Sequence, residues 1–303
     1  MPSLIPFRGF RYDPSHVGAL ANVIAPPWDS ISPELQTNLY ERHPANVVRL
    51  ERNRDEPGDD QHGNRHTRAA RFLRAWREQG VLVQDPAAAI YVCHQEFEAD
   101  GESFLRQGIV ARVRLERFGT GNIHAHLAID PEQKQDRLAL LRSCAANTSP
   151  VVGLYPDGAG EVQAALETAV AGQPPVEARD DLGVYHRLWA VADQTIAARV
   201  AGLIGPRPLY IAAGHHRYEA ACDYRDQLAA AWPVEHGGQS LPSDHPARFI
   251  LILVCGLDDT GLLPSADLLE AIQQVRETGV LRPAGSTALI PPAPAGLVIN
   301  LLE

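Results

Sequence analysis

The stretch on which the reading turns is YIAAGHHRYEAA, Tyr210 to Ala221. Four apolar residues run into Gly214, then into His215, His216 and Arg217, and the apolar residues that follow recur at helical spacing. This pattern predicts a strand that turns through a glycine into a helix. The first free N–H groups of such a helix point out of the turn, with the positive end of the helix dipole behind them, and together they make an anion site. His215, His216 and Arg217 fall in the first turn, where cationic side chains oppose the dipole unless a negative group lies between them. An arginine grips a phosphate through two N–H groups at once, and a histidine donates to it or moves a proton. Phosphate is the ligand this pattern favours. The plainer alternative has the histidines capping or packing and Arg217 in a surface salt bridge.

Working outward, GVYHRLWAVAD reads as a strand or hairpin, DQTIAARVAGLIG as a helix and RFILILVCGL as a buried strand. SADLLEAIQQVRETG reads as a helix and the terminal AGLVINLLE as a strand. Toward the N-terminus, Ser32-Pro33-Glu34 is a helix start, with Ser as N-cap, Pro at the first position and an acid in the first turn. NVVRLE reads as a strand, and a helix from Arg65 to Gln79 stops at Gly80. AIYVCHQEFE and RQGIVARVRLERF form a hairpin around Asp100-Gly101, and Asp130-Pro131 caps the next helix. SPVVGLY is a further strand, and the helix after it runs into a Gly/Pro stop that makes the best internal boundary. The expected units are residues 1–172 and 173–303, or else one continuous core. Strands and helices are mixed without strict alternation, which favours an α+β fold over a doubly wound sheet.

The bulk numbers restrict the function. The chain has 303 residues and a formal net charge of −10, with 27 basic and 37 acidic residues, which argues against a nucleic-acid partner. No apolar run approaches the roughly 18 residues that span a bilayer, and the N-terminus lacks the apolar core of a signal peptide, so a cytoplasmic protein with no membrane contact is expected. Lys134 is the only lysine, which leaves anion binding to arginine. Cys93, Cys144, Cys222 and Cys255 are far apart in apolar settings and read as buried, reduced thiols.

The motifs also carry a resemblance. YIAAGHHRYEAA looks like the Asp-Gly-His-His-Arg-Tyr-Glu motif of a large family known as domain of unknown function 1015 (DUF1015). APPWDSIS, HPANVVRL, GIVARVRLERF, KQDRLALLRSCAANTSPVVGLY, HRLWAVAD and PAGLVINLLE agree with it in the same order, so the resemblance covers nearly the whole chain. The family's core is similar to the ParB/sulfiredoxin superfamily, where a comparable turn holds nucleotide phosphates and which includes free-serine kinases. The resemblance therefore implies a ParB/sulfiredoxin-like core in the 173–303 region, a nucleotide (ATP or ADP) and Mg2+ as cofactors, and a nucleotide plus a small-molecule substrate as partners. Three departures stand out. Ala213 replaces the family's Asp, Leu127 replaces the acid of its Pro-His-Glu motif while His126 remains, and a stretch usual after Asp258 to Leu263 is missing.

Other candidates follow from residue type and spacing. Asp29, after the Pro26-Pro27 turn, is the nearest surviving motif acid, either a magnesium ligand or base on a substrate hydroxyl, or a cap for the Ser30–Ser32 turn. Trp28 is placed to wall a pocket. His124 and His126 face the same way in an extended segment, but no third ligand is evident, so a metal site stays unassigned. Lys134 and Arg137 share a helix face and are candidates to reach a second phosphate, a solvated face being the alternative. His94 and Glu96 lie on one side of a strand, where either would line a cleft.

The leading expectation is a kinase that moves a nucleotide phosphate onto the hydroxyl of free serine or a related metabolite. Gly214, His215, His216 and Arg217 would hold phosphate, and Asp29, His126 and His216 would serve catalysis. The rival is a regulatory protein that binds a nucleotide or phosphometabolite without turnover, as Ala213 and Leu127 favour. A homodimer is left open.

Overall fold

The structure, a computed structural model, describes residues 2–26, 28–125, 127–259, 261–262, 270, 272–273 and 294–302. Its organisation is visible in one strand, β12 (Phe249–Gly256). Successive side chains of a strand point to opposite faces. Ile250, Ile252 and Val254 fall in one apolar cluster, while Leu251, Leu253 and Cys255 fall in another. An unbroken apolar run is what a strand covered on both faces requires.

β12 lies near the middle of a nine-stranded sheet. The order runs β6 (Ile123–Ala125), β11 (Leu209–Ala213), β8 (Val151–Tyr155), β12, β5 (Glu102–Arg114), β4 (Ile90–Ala99), β10 (Tyr185–Val191) and β9 (Val176–Arg179), with β1 (Leu4–Ile5) beside the far end of β5. The β6–β11 and β8–β12 pairs are parallel and the others antiparallel, so the architecture is mixed α/β with a mixed sheet. Strands from before and after residue 172 are interleaved in it.

One face is covered by the N-terminal elements α1 (Pro14–Val17), α2 (Pro33–Arg42), α3 (Val48–Glu51) and α4 (Arg65–Glu78), together with the segment 295–299. The other is covered by α6 (Glu161–Val170), α7 (Gln194–Ile204) and α8 (His215–Glu235). Helix α5 (Pro131–Cys144) joins the two layers, with Leu140 and Cys144 in the first cluster and Leu138 and Leu141 in the second. It packs on α4 on one side and α8 on the other. Two small pairs, β2 (Phe10–Tyr12) with β3 (Leu82–Gln84) and β7 (Ala146–Asn147) with β13 (Asn300–Leu301), finish the first layer.

Local chemistry sets the boundaries. Ser32 Oγ accepts the Leu35 N–H at 3.2 Å. Asp130 Oδ1 accepts those of Glu132 and Gln133 at 2.8 and 3.2 Å. Such caps contribute about 1 kcal/mol each. The β4–β5 hairpin turns through Asp100 and Gly101 at positive φ, 52° and 80°, as an Asp-Gly pair allows. The four cysteines are buried free thiols whose pKa values burial pushes up to about 12. Among the described residues no helix is long and apolar enough to cross a membrane.

Two expectations are corrected. NVVRLE is not a strand: Asn46 Oδ1 accepts the Val48 N–H at 2.9 Å, and Glu51 and Arg52 donate to Val47 and Val48 carbonyls, which closes the short helix α3. Burial of Val47, Val48 and Leu50 overrides the strand preference of β-branched residues. The terminal strand shrinks to Asn300–Leu301, preceded by isolated bridges of Ile299 to Phe10 and Ala295 to Ala25. The helix expected over 265–279 lies outside the described residues except for Glu270, Ile272 and Gln273.

Candidate functional site

The site is built from two strand–turn–helix units lying side by side. β6 leads to α5 and β11 leads to α8. The two strands are parallel neighbours, with Ile211 opposite Ala125. The two helices also run in the same direction, since contacts advance together from Asp130–His216 through Lys134–Asp223 to Arg142–Gln227. Both helix N-termini therefore arrive at the same end of the sheet. Their positive dipole ends lie next to each other, an arrangement that favours negative charge between or beside them.

Gly214 makes the turn into α8 at φ 85° and provides no side-chain cap. A Cβ there would lie 3.2 Å from Val151 Cγ2 and 3.3 Å from Val151 Cα, so both the conformation and the close approach call for glycine. His215 is 2 % exposed and packs inward. His216 differs from the expected cation. Its Nε2 lies 3.0 Å from the Asp130 backbone N–H, which can only donate, so Nε2 holds no proton and the ring is neutral with its proton on Nδ1. Burial lowers the His216 pKa and the Arg217 charge adds to this, while Asp130 and Asp29 pull the other way. Arg217 is the cation of the turn. Its Nη1 donates to Ser149 Oγ at 2.5 Å and to the Pro150 carbonyl at 2.9 Å, and its buried Nε has no acceptor among the described residues.

A buried polar chain continues from there. Ser149 Oγ donates to Glu51 Oε1 at 2.8 Å and Thr148 Oγ1 donates to Glu51 Oε2, with Glu51 only 1 % exposed. Arg137 Nη1 lies 3.7 Å from Glu51 Oε1, and its Nε donates to Asp136 Oδ2 at 3.0 Å. Asp136 Oδ1 accepts from Arg65 Nη2 at 2.6 Å and His66 Nε2 at 2.8 Å. Burial alone would raise the Asp136 carboxyl, but His66, Arg137 and Arg65 hold it far below the usual carboxylate range. Glu51, Arg137, Asp136, Arg65 and His66 border a cleft of about 240 Å3 whose other walls include Trp28, Arg52 and Asn53. Arg137 Cζ lies 4.5 Å from the Trp28 ring centre. A smaller hollow containing Ser149 and Arg217 shares Glu51, Arg137 and Leu140 with this cleft.

The expected site residues divide as follows. Gly214, His216, Arg217 and Asp29 come together, Asp29 being exposed in the turn Trp28–Ser30 beside His216. Trp28 does wall a cleft. Lys134 and Arg137 have different partners: Lys134 Nζ pairs with Asp223 on α8 at 2.9 Å, whereas Arg137 is buried against Asp136, Glu51 and Trp28. His126 lies outside the described residues. His124 stacks on Tyr210 with ring centres 5.6 Å apart, and burial lowers its pKa. His94 and Glu96 lie away from the cleft, with His94 against Trp189 and Glu96 paired to Arg187.

Asp130, Glu51 and Ser149 are site residues that the sequence does not mark as such. Asp130 had a signal, three positions after Leu127, but it was spent on the cap of α5. Among the described residues no three His, Cys, Asp or Glu side chains converge as a metal-binding group. Magnesium bound with a nucleotide needs only one or two protein carboxylates, phosphates and water supplying the rest. Asp29 and Asp130 both act on His216; Asp130 is engaged as the cap of α5, and Asp29 is exposed.

Over residues 4–265 the sequence matches the family described as a protein of unknown function, DUF1015. No curated protein and no solved structure matches the chain.

Proposed function

The chain belongs to the DUF1015 family, a description that assigns no activity, and we propose from the site itself that it is a nucleotide-dependent phosphotransferase. In this reading the phosphates of ATP or ADP sit at the N-terminus of α8, and the phosphoryl group passes to the hydroxyl of free serine or a related small metabolite. The observation that carries it is the meeting of two helix N-termini through His216, next to Arg217, whose charge is otherwise unfavourable in a first turn. The finer kinship to the ParB/sulfiredoxin superfamily and a cytoplasmic location belong to the same proposal.

The α8 N–H groups and Arg217 hold the phosphates, and magnesium, when bound by Asp29 and Asp130, supplies charge compensation. Asp29, which makes no hydrogen bond to another described residue, is the group free to orient the acceptor or take its proton. Neutral His216 keeps its lone pair on the Asp130 N–H and so fixes the start of α5 against α8. Phosphoryl transfer needs positioning and charge compensation more than covalent chemistry, which suits so spare a site. Calorimetry with ADP and ATP tests the reading: the native chain binds, and Arg217→Ala loses binding while its melt stays cooperative. Unchanged affinity in a folded Arg217→Ala protein sinks it.

A second reading, binding without turnover, is favoured by Ala213 and Leu127, which carry no acid at two motif positions. A well-placed general base contributes about 10² to 10⁴ in rate. The double replacement Ala213→Asp with Leu127→Glu is therefore expected to raise serine phosphorylation at least about tenfold. If neither chain phosphorylates an acceptor while both bind nucleotide, the second reading replaces the first.

A further inference from the structure

We propose that the cleft between α3, α4 and α5 is a second binding site, taking a small metabolite that presents a carboxylate or phosphate to Arg52. That this metabolite is the phosphoryl acceptor rests on the reading above; the site itself does not.

Three arginines line the cleft, Arg52, Arg65 and Arg137. Arg65 is engaged by Asp55 and Asp136, and Arg137 by Asp136 and Glu51. Arg52 has no acidic partner among the described residues. Among the described residues its side chain makes one hydrogen bond, from Nη1 to the Trp28 carbonyl at 2.5 Å, and its Cζ lies 5.8 Å from the centre of the Trp28 ring. A guanidinium has five N–H donors, so four remain for a ligand. Two of them form the planar fork that fits a carboxylate or phosphate. Glu132, the one other acid on the rim, is exposed in the first turn of α5, where the helix dipole accounts for it.

The wall is also held in place before any ligand arrives. Trp28 is contacted by both Arg52 and Arg137, and Arg137 is fixed by Asp136 and Glu51. Asn53, 6 % exposed, is anchored through Nδ2 to the Arg49 carbonyl at 2.7 Å. The volume of about 240 Å3 lies below the usual range for small-molecule pockets, roughly 300–1,000 Å3, so the cleft suits a metabolite of a few carbons better than a nucleotide. Through Glu51 and Arg137 the cleft adjoins the hollow that holds Arg217, so a molecule seated here has the phosphate site as its neighbour.

Titration calorimetry on the full chain tests this with malonate, inorganic phosphate and, as an uncharged probe, glycerol. In native protein, malonate or phosphate binds and glycerol does not. Arg52→Gln weakens that anion at least about tenfold, the scale of one charged contact, while ADP affinity stays within about twofold. Arg217→Ala gives the converse, with ADP lost and malonate retained, so failure of the nucleotide reading and failure of this one are separable. Tighter malonate than phosphate identifies a carboxylate ligand, and the reverse a phosphate. Arg52→Lys, which keeps the charge but not the fork, serves as the folded control and binds between native and Arg52→Gln. The proposal is overturned if neither anion binds native protein at millimolar concentration, if both survive Arg52→Gln unchanged, or if glycerol binds as well as malonate.

Discussion

Two of the buried polar chains among the described residues end differently. One runs through the sheet: Arg106 Nε on β5 donates to Gln95 Oε1 on β4 at 3.1 Å, Gln95 Nε2 lies 3.2 Å from His186 Nδ1 on β10, and His186 Nε2 lies 2.8 Å from Asp180 Oδ2. Because the carboxylate only accepts, His186 carries its proton on Nε2 and receives the Gln95 amide on Nδ1, so every bond points the same way. All four residues are buried, and Asp180 also caps the Leu182 and Val184 N–H groups. The other chain, Arg217–Ser149–Glu51–Arg137–Asp136, is equally polar but opens onto the cleft, beside an arginine with donors to spare. The difference separates a network that ties strands together inside the sheet from one that reaches a cleft. Buried charge alone does not distinguish them; where the last donor points does.

The comparison breaks most easily at Asp180. Asp180→Ala strips an acceptor from fully buried His186 and two turn N–H groups, and is expected to cost about 3 kcal/mol in urea unfolding. Arg52→Gln, on the open side, is expected to change stability by less than about 0.5 kcal/mol. Equal losses would erase the distinction. Glu51→Ala falls between. It leaves Thr148 and Ser149 without their acceptor and removes one of the two carboxylates beside Arg137, costing about 2 kcal/mol, and should also weaken ADP binding because Ser149 no longer positions Arg217.

A smaller effect is expected from pH. Burial lowers the pKa values of His94, His124 and His216 in the folded chain. As pH falls through the unfolded value, about 6.5, the unfolded chain takes up these protons first, so stability falls below that pH and is unaffected by them above it. His216→Gln keeps an acceptor for the Asp130 N–H and removes one titrating ring, so its melting temperature should drop less between pH 7 and pH 5.5. An unaltered drop would mean that His216 is not among the groups responsible.

Much of this was legible in the sequence. Gly214 between an apolar strand and a helical repeat, the Ser32 and Asp130 caps and the Asp100-Gly101 hairpin are local signals, each decided by a few neighbouring residues. The open chain was not legible. Glu51 sits in α3, whose β-branched residues mimic a strand, and its partners Ser149 and Arg137 are some ninety residues away. The neutral state of His216 is not legible either, because residue type does not reveal that a backbone N–H will occupy its lone pair.

The interleaving of the sheet has a consequence for how the chain acquires its shape. β12 is hydrogen-bonded on one side to residues 108–114 and on the other to 151–155, so the centre of the sheet stays unpaired until residue 256 is available. On a ribosome adding about 5–20 residues per second, β5 and β8 wait several seconds with apolar edges open. Sequence-distant pairing of this kind makes folding slow. The chain should therefore depend on holdase chaperones during synthesis, and fragments ending before β12 should aggregate instead of folding as smaller domains.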